Sequence, residues 1–528
     1  MEWTREQSQA INKSKSNILV AAAAGSGKTA VLVERIINKI LNEKIDIDKL
    51  LVVTFTNAAA SEMRERILNA IYKKIDESQD EAEVQNLQKQ VVLLNKASIC
   101  TIDSFCLDVI RNNFFEIDIS PNFRIGDTPE MELLKQEVLE ELFEEKYEEQ
   151  NADFQKLIKT YTSYRDDTPL KDIVLKIFTY ISSSPYPKQW LNQAIEKFKI
   201  SEDTEFTQTQ WGELLVQEIK EELMDDISIL ECEARKLSVE KDLVLFQKTI
   251  ENDIYEFQTL LANLDNWDKA YTIANSLEFI IWPRNKVDSM EKENAKNVRD
   301  TVKKKFKAKA DKIFVSNSNE AIQDIIDMYE ILTKLKNLIF EFEDKFSKKK
   351  REKNVLDFSD VEHLALQILV KEKEDGTHTR SDIAKKYQER FEEIAIDEYQ
   401  DSNLVQEYIL TSVSRGNNIF MVGDVKQSIY KFRQARPELF LEKYKTYATD
   451  DANEKGLKIQ LFKNFRSREN VLDFTNIIFK SIMSENLGDI DYTEEEYLNL
   501  GAIWDVPKDP VSIEICTEDK RSTKYMYQ

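Results

Sequence analysis

Short apolar runs separated by polar stretches mark both ends of this 528-residue chain. They are Ile18-Leu19-Val20, Leu51-Val52-Val53-Thr54-Phe55, Ser98-Ile99-Cys100-Thr101, Ile394-Ala395-Ile396 and Ile419-Phe420-Met421-Val422. Continuous apolar runs of this length, rich in β-branched residues, predict strands buried on both faces. Alternating with helix-spaced sequence, they predict a parallel sheet whose ligand site lies at the carboxyl ends of the strands. Between Gly126 and Gly376 the pattern changes: one glycine, Gly212, interrupts a stretch rich in Glu, Lys, Leu and Ile at helical spacing. Leu134, Val138, Leu142 and Phe143 trace the buried stripe of one such helix, leaving the carboxylates from Glu137 to Glu149 to water. The prediction is an α/β domain interrupted by a large helical insertion.

Composition narrows the class. Hydrophobic residues at 41% and charged residues at 32% describe a folded chain long enough for several domains, without internal repeats or low-complexity linkers. No run predicts a membrane span, and Met1-Glu2-Trp3-Thr4 lacks the basic and apolar regions of a signal peptide, so a cytoplasmic location is expected. Cys100, Cys106, Cys232 and Cys516 show no paired spacing and read as reduced thiols. With His363 and His378 the only histidines, zinc sites and His-based acid–base chemistry are poorly supported. A net charge of −23 is a weak veto on nucleic acid, because the surface that touches a polyanion decides binding. Two basic clusters, Lys303-Lys304-Lys305 with Lys307 and Lys309, and Lys348-Lys349-Lys350-Arg351, read as solvated helix or as DNA-facing patches.

Chemistry enters with Ala22-Ala23-Ala24-Gly25-Ser26-Gly27-Lys28-Thr29, directly after the first predicted strand. The pattern is that of a phosphate-cradling loop, G-x-x-x-x-G-K-S/T, with Ala22 at the first glycine position. Gly25 and Gly27 supply the backbone angles that turn successive N–H groups toward phosphate oxygens, and a helix beginning near Lys28 aims its positive end there. Lys28 is expected to reach the β- and γ-phosphates, and Thr29 to ligate Mg²⁺. Asp397 and Glu398, after the strand ending at Ile396, supply the two carboxylates an ATPase needs, one for the metal and one for the attacking water. The third element runs from Gly423 to Arg433: Gln427 is placed to sense a γ-phosphate, and Tyr430 and Phe432 alternate with Lys431 and Arg433 as a base-stacking, phosphate-holding pattern.

These residues resemble the UvrD-like superfamily 1 DNA helicases. The matching set, in that family's order, is Trp3 to Gln7 (the Q motif), the Lys28 loop (I), Thr54 to Met63 (Ia), Thr101 to Cys106 (Ic), Asp397 to Asp401 (II), Gln427 to Arg433 (III) and Asn464 to Ser467 (IV). Within the family, Ala21 to Arg35 and Thr101 to Cys106 are similar to the helicase-nuclease branch called AddA or RexA. The resemblance implies a RecA-like P-loop NTPase sheet with a helical insertion and a truncated second RecA-like domain. The expected segments are 1–125 and 351–450 for the first motor domain, 126–350 for the insertion and 451–528 for the start of the second domain. It implies ATP and Mg²⁺ as nucleotide and metal, with Gln7 on the adenine edge and Ala22, Ala23, Ala24, Gly25, Ser26, Gly27, Lys28 and Thr29 around the phosphates. Thr29 and Asp397 would hold the metal, with Glu398 as general base, Gln427 as coupling residue and Arg466 reaching the γ-phosphate. Phe55, Asn57, Thr101, Tyr430, Phe432 and Arg433 would line the single-strand track.

The implied activity is ATP-dependent 3′→5′ unwinding of DNA in double-strand-break repair. Single-stranded and duplex DNA and an AddB- or RexB-type protein would be the partners, with no membrane. Asp103 departs from the family's usual histidine, and Phe432 stands where many relatives have tryptophan. Motifs V and VI and the nuclease domain are expected beyond Gln528, which leaves an ATP- and DNA-binding module without productive stepping as the alternative. A nucleotide-dependent transferase is disfavoured because it leaves Phe55 to Asn57 and Tyr430 to Arg433 unexplained.

Overall fold

The computed structural model describes residues 3–503 except 118, 163–165, 374–376, 450–454 and 489. Met1, Glu2, Gly376, Cys516 and residues 451–454, 489 and 504–528 of the expected last segment therefore lie outside the described residues.

Six strands form the main sheet: β1 (Ile18–Ala22), β2 (Leu50–Thr54), β3 (Ser98–Thr101), β4 (Glu393–Ile396), β5 (Ile419–Gly423) and β6 (Leu457–Leu461). Their spatial order is β6-β1-β5-β4-β2-β3, and every neighbouring pair is parallel. Val20 lies opposite Val422 and Ile459, and Leu51 opposite Ser98 and Ile394. Successive side chains point to opposite faces. Val20, Val52, Ala395, Phe420 and Val422 enter one core with Leu32, Ile36, Met63 and Ile67. Leu19, Leu51, Val53, Ile394, Ile396 and Met421 enter another with Phe105, Ile110, Val361 and Ile409. Burial on both faces is why the four inner strands appear in the sequence as unbroken apolar runs.

Two details correct the sequence reading. The second strand stops at Thr54: Thr54 Oγ1 donates to the Thr56 carbonyl at 3.1 Å, and Thr56 caps the helix Asn57–Glu77, so Phe55 is turned out to solvent. The strand β6 is not among the expected runs. Its sequence, Leu457-Lys458-Ile459-Gln460-Leu461, alternates because an edge strand buries one set of side chains more fully than the other. It pairs with β1, so this sheet extends beyond the 450 boundary expected for the first motor domain. After it, Lys463–Asn464 pairs in parallel with Asn499–Leu500, and Glu469–Ile482 forms a helix.

Polar groups under the sheet are paired. Arg35, on the helix Lys28–Leu41, meets Glu393 of β4 in a two-pronged contact of 2.7 and 2.6 Å, and Lys39 reaches the same carboxylate at 3.0 Å.

Residues 138–181 and 186–345 form a second compact unit, within the stretch expected for the insertion. It is built of helices: Gln210–Leu237 packs on Val244–Leu261 and on Met290–Ile313 around Leu223, Leu230, Phe246, Phe257, Trp267 and Phe306. Two lysines of its basic cluster are engaged internally, Lys305 with Asp226 at 3.2 Å and Lys309 with Glu218 at 2.7 Å and Glu222 at 2.5 Å. In the first unit, Lys350 is buried between Asp357 at 2.8 Å and Asp360 at 2.6 Å, and Lys349 pairs with Glu137 at 3.0 Å. These four lysines have intramolecular partners that serve the fold.

Candidate functional site

Backbone geometry makes the phosphate loop. From β1 the chain turns through Gly25 (φ 71°) and Gly27 (φ 85°), and the helix Lys28–Leu41 begins at once. Ala22 and Ala23 are buried at the strand end, and the Ala24 carbonyl accepts from Asn464 Nδ2 at 2.7 Å. Ser26 is buried with its hydroxyl oxygen unpartnered. A cradle of left-handed glycines leading into a helix N-terminus is a fitting seat for a triphosphate. Gly25 also has no room for a side chain, since an added Cβ would lie 2.7 Å from Asn464 Nδ2 and 2.9 Å from Arg466 Cβ. Gly25→Ala is expected to weaken binding of a fluorescent ATP analogue by roughly 5–150-fold, the equivalent of ~1–3 kcal/mol of backbone strain.

Lys28 and Glu398, far apart in sequence, meet here: Lys28 Nζ donates to Glu398 Oε2 at 3.3 Å. Glu398 sits at φ 52°, a left-handed conformation uncommon for a residue with a side chain and of the kind stored at functional sites. Asp397 accepts the Glu398 backbone N–H at 3.1 Å. Burial, then the charge of Glu398, push the Asp397 carboxyl up to about 6 against the pull of Lys28. Asp401 is also raised to about 6, again by burial and Glu398. A divalent cation with phosphate and water ligands suits such a site, Mg²⁺ in particular taking one or two carboxylates and keeping several waters. Thr29 is half-buried in the first turn of the helix, and with Asp397 it is a residue that could hold such a cation.

Gln7 is buried against the loop. Its Nε2 donates to the Ser26 carbonyl at 3.0 Å, and its Oε1 accepts from Thr4 N at 3.0 Å in the capping box of Arg5–Asn12. Across from it stand Leu461, Phe462, Lys463 and Phe465, which close a small cleft with Thr4, Glu6, Gln7 and Ser26. Phe465 N donates to the Gly25 carbonyl at 2.9 Å. Arg466 is exposed, its backbone N–H held by Asn464 Oδ1 at 2.8 Å beside the same loop. Asn464 and Phe465 thus grip the loop carbonyls directly, a role the sequence does not announce.

The third element connects this centre to an aromatic surface. Gln427 Nε2 donates to Asp424 Oδ2 at 2.7 Å. Farther along, Tyr430 lies 4.7 Å from Phe55 and 5.9 Å from Phe432, and the Arg433 guanidinium covers both Tyr430 (5.3 Å) and Phe432 (5.6 Å). Phe432 is 74% exposed. A ring this open to water beside a cation goes against the usual tendency of large rings to be buried, and it is the arrangement on which a base could stack. Asn57 is exposed at the start of its helix, immediately after Phe55 and Thr56.

Thr101 is placed differently. It is 7% exposed and caps the helix Ile102–Asn113, its hydroxyl accepting from Ser104 N at 3.3 Å. In this conformation its hydroxyl serves the helix, which it also meets through Ser104 Oγ at 2.9 Å. Burial raises the neighbouring Asp103 carboxyl above its usual range.

The chain matches the UvrD/REP helicase N-terminal domain over residues 3–448. It is 47% identical over 520 residues to the A subunit of the ATP-dependent helicase/nuclease of Acetivibrio thermocellus, covering 96% of this chain and 41% of that protein. To its counterpart of the same name in Clostridium botulinum it is 48% identical over 526 residues, covering 95% and 41%. For the counterpart in Clostridioides difficile the identity is 46% over 542 residues, covering 97% and 41%. The chain thus spans about two fifths of the length of these relatives.

Proposed function

The chain belongs to the UvrD/REP helicase family, and from that premise we propose that it is the ATP-driven motor portion of a 3′→5′ DNA helicase of the AddA or RexA type. It would act in double-strand-break repair and recombination beside an AddB- or RexB-type partner in the cytoplasm. No helix among the described residues is long and apolar enough to cross a membrane. Family membership carries the general expectation of ATP and a divalent metal; the finer reading is Mg²⁺ held by Thr29 and Asp397, which when bound would neutralise charge on the phosphates.

One observation carries the reading most. The segment from Asp424 to Arg433 holds both the amide of Gln427, paired with Asp424 at the end of β5, and the Tyr430–Phe432–Arg433 cluster. A single short segment can therefore report nucleotide state to a bound strand. Lys28 is paired with Glu398 until phosphates compete for it, so nucleotide arrival releases the carboxylate that would activate water. Backbone and stacking contacts of this kind carry little sequence preference.

The test is ATP hydrolysis by the 528-residue chain with and without single-stranded DNA. Stimulation by DNA supports the motor reading. Binding of both ligands without stimulated turnover would reduce the chain to a binding module, and absence of DNA binding would sink the proposal. Phe432→Ala is expected to weaken single-strand affinity by roughly 5–150-fold, corresponding to ~1–3 kcal/mol for one stacked base, with ATP-analogue affinity unchanged. Fluorescence anisotropy of a labelled oligonucleotide measures the first, and analogue titration the second.

A further inference from the structure

We propose that Gln400 is the positioning residue that sets the Glu398 carboxylate and ties it to the Gln427 sensor. The inference rests on the reading of Glu398 as the general base. Gln400 is 1% exposed, and both ends of its amide are engaged. Nε2 donates to Glu398 Oε2 at 2.9 Å and to Asp401 Oδ2 at 3.3 Å, one N–H for each carboxylate. Oε1 accepts the Asp424 backbone N–H at 3.0 Å. The side chain of that same Asp424 accepts from Gln427 at 2.7 Å. A second strap joins the two segments, Ser428 Oγ donating to the Gln400 carbonyl at 3.4 Å.

The sheet is shaped to admit this amide. Gly423 ends β5, and a Cβ added there would fall 2.4 Å from Gln400 Oε1, so the close approach of the two segments depends on a residue without a side chain. A buried amide with a fixed acceptor at one end has little freedom at the other, which makes its N–H vectors a rigid mount for the carboxylate. When Gln427 turns toward a γ-phosphate and leaves Asp424, the shift passes through the Asp424 backbone to Gln400, and from there to Glu398. Sensor and base then move as one unit, with the buried Gln400 acting through Glu398.

Gln400→Leu removes both ends of the mount, and Gln400→Glu keeps an acceptor for Asp424 while losing the donor to Glu398. Both are compared with Glu398→Gln and with the Gln400→Leu/Glu398→Gln double variant for ATP turnover with single-stranded DNA, alongside thermal melting. The expected result is a fall in kcat of roughly 10–100-fold for each Gln400 variant, the size of loss that a displaced catalytic group causes. KM should stay within about threefold, and Gln400→Leu should add no further loss in the Glu398→Gln background, as residues acting as a unit behave. Should Gln400→Leu misfold, as melting would reveal, Gln400→Glu carries the test. Unchanged kcat in a folded Gln400 variant, a loss confined to KM, or additive losses in the double variant overturns this inference and leaves the base assignment standing. A Glu398→Gln protein that hydrolyses ATP like the parent overturns the assignment itself, and this inference with it.

Discussion

Glu398→Gln is expected to lower DNA-stimulated ATP turnover by ~10²–10⁴-fold, the usual contribution of a positioned general base, with nucleotide affinity equal to or tighter than the parent's. Affinity holds because the substitution removes the carboxylate that Lys28 contacts at 3.3 Å, leaving the ammonium free for phosphate. Stability should hold as well, for a reason that lies at Asp397. Its carboxyl is raised from 3.8 to about 6, by burial first and by the Glu398 charge second. For an acid raised in the folded state, the proton is held more tightly when folded. Stability from this group is therefore full below 3.8 and is lost as pH climbs toward about 6. Removing the Glu398 charge narrows that window and reduces the loss, so Glu398→Gln should melt no lower than the parent at pH ~7. Steady-state hydrolysis, analogue titration and thermal melting on the same two proteins separate lost chemistry from lost structure. Turnover within tenfold of the parent would remove Glu398 from the role of base.

What is readable in the sequence follows from burial and local geometry. The four inner strands show as apolar runs because both faces of the sheet are covered, whereas β3 and β6 at the edges alternate in burial, and β6, with Lys458 and Gln460 between its leucines and isoleucine, does not stand out. The phosphate loop is legible since its glycines, Lys28 and Thr29 act through local backbone geometry at fixed spacing. Contacts between distant segments are not. Nothing local in Asn464 or Phe465 announces that they hold the carbonyls of Ala24 and Gly25. Gln400 lies inside a motif whose carboxylates draw the chemistry, and its buried amide only acquires meaning beside Asp424 and Gly423. Thr101 has a local role that is legible as well: a threonine directly ahead of Ile102–Asn113 is a favoured helix cap, and it caps that helix here.

Glu393→Ala is expected to destabilise the chain by ~3–5 kcal/mol, the usual result of removing one partner from a buried ion pair. Arg35 is 1% exposed and would keep its contacts with the Ala10 carbonyl at 2.6 Å and the Lys13 carbonyl at 2.7 Å, and its place 4.2 Å over the Phe420 ring. None of these supplies a negative charge. Lys39 would retain Glu43 at 3.2 Å, so the unpaired cation left behind is chiefly Arg35. Such a loss is a large part of the ~5–15 kcal/mol that holds a typical domain folded. The site would feel it too. Glu393 opens β4, the strand that delivers Asp397 and Glu398, while Arg35 lies on the helix that Lys28 begins and grips the end of the helix that carries Gln7. One carboxylate therefore holds together the elements that carry Gln7, Lys28, Asp397 and Glu398, the residues proposed to contact the nucleotide. Chemical denaturation followed by far-UV dichroism measures the loss, with Glu393→Gln expected to fall between parent and alanine because it keeps hydrogen-bond acceptance without the charge. A denaturation midpoint for Glu393→Ala equal to the parent's would show that the pair's attraction had only offset its desolvation, and that packing around Phe420 carries the join between strand and helix.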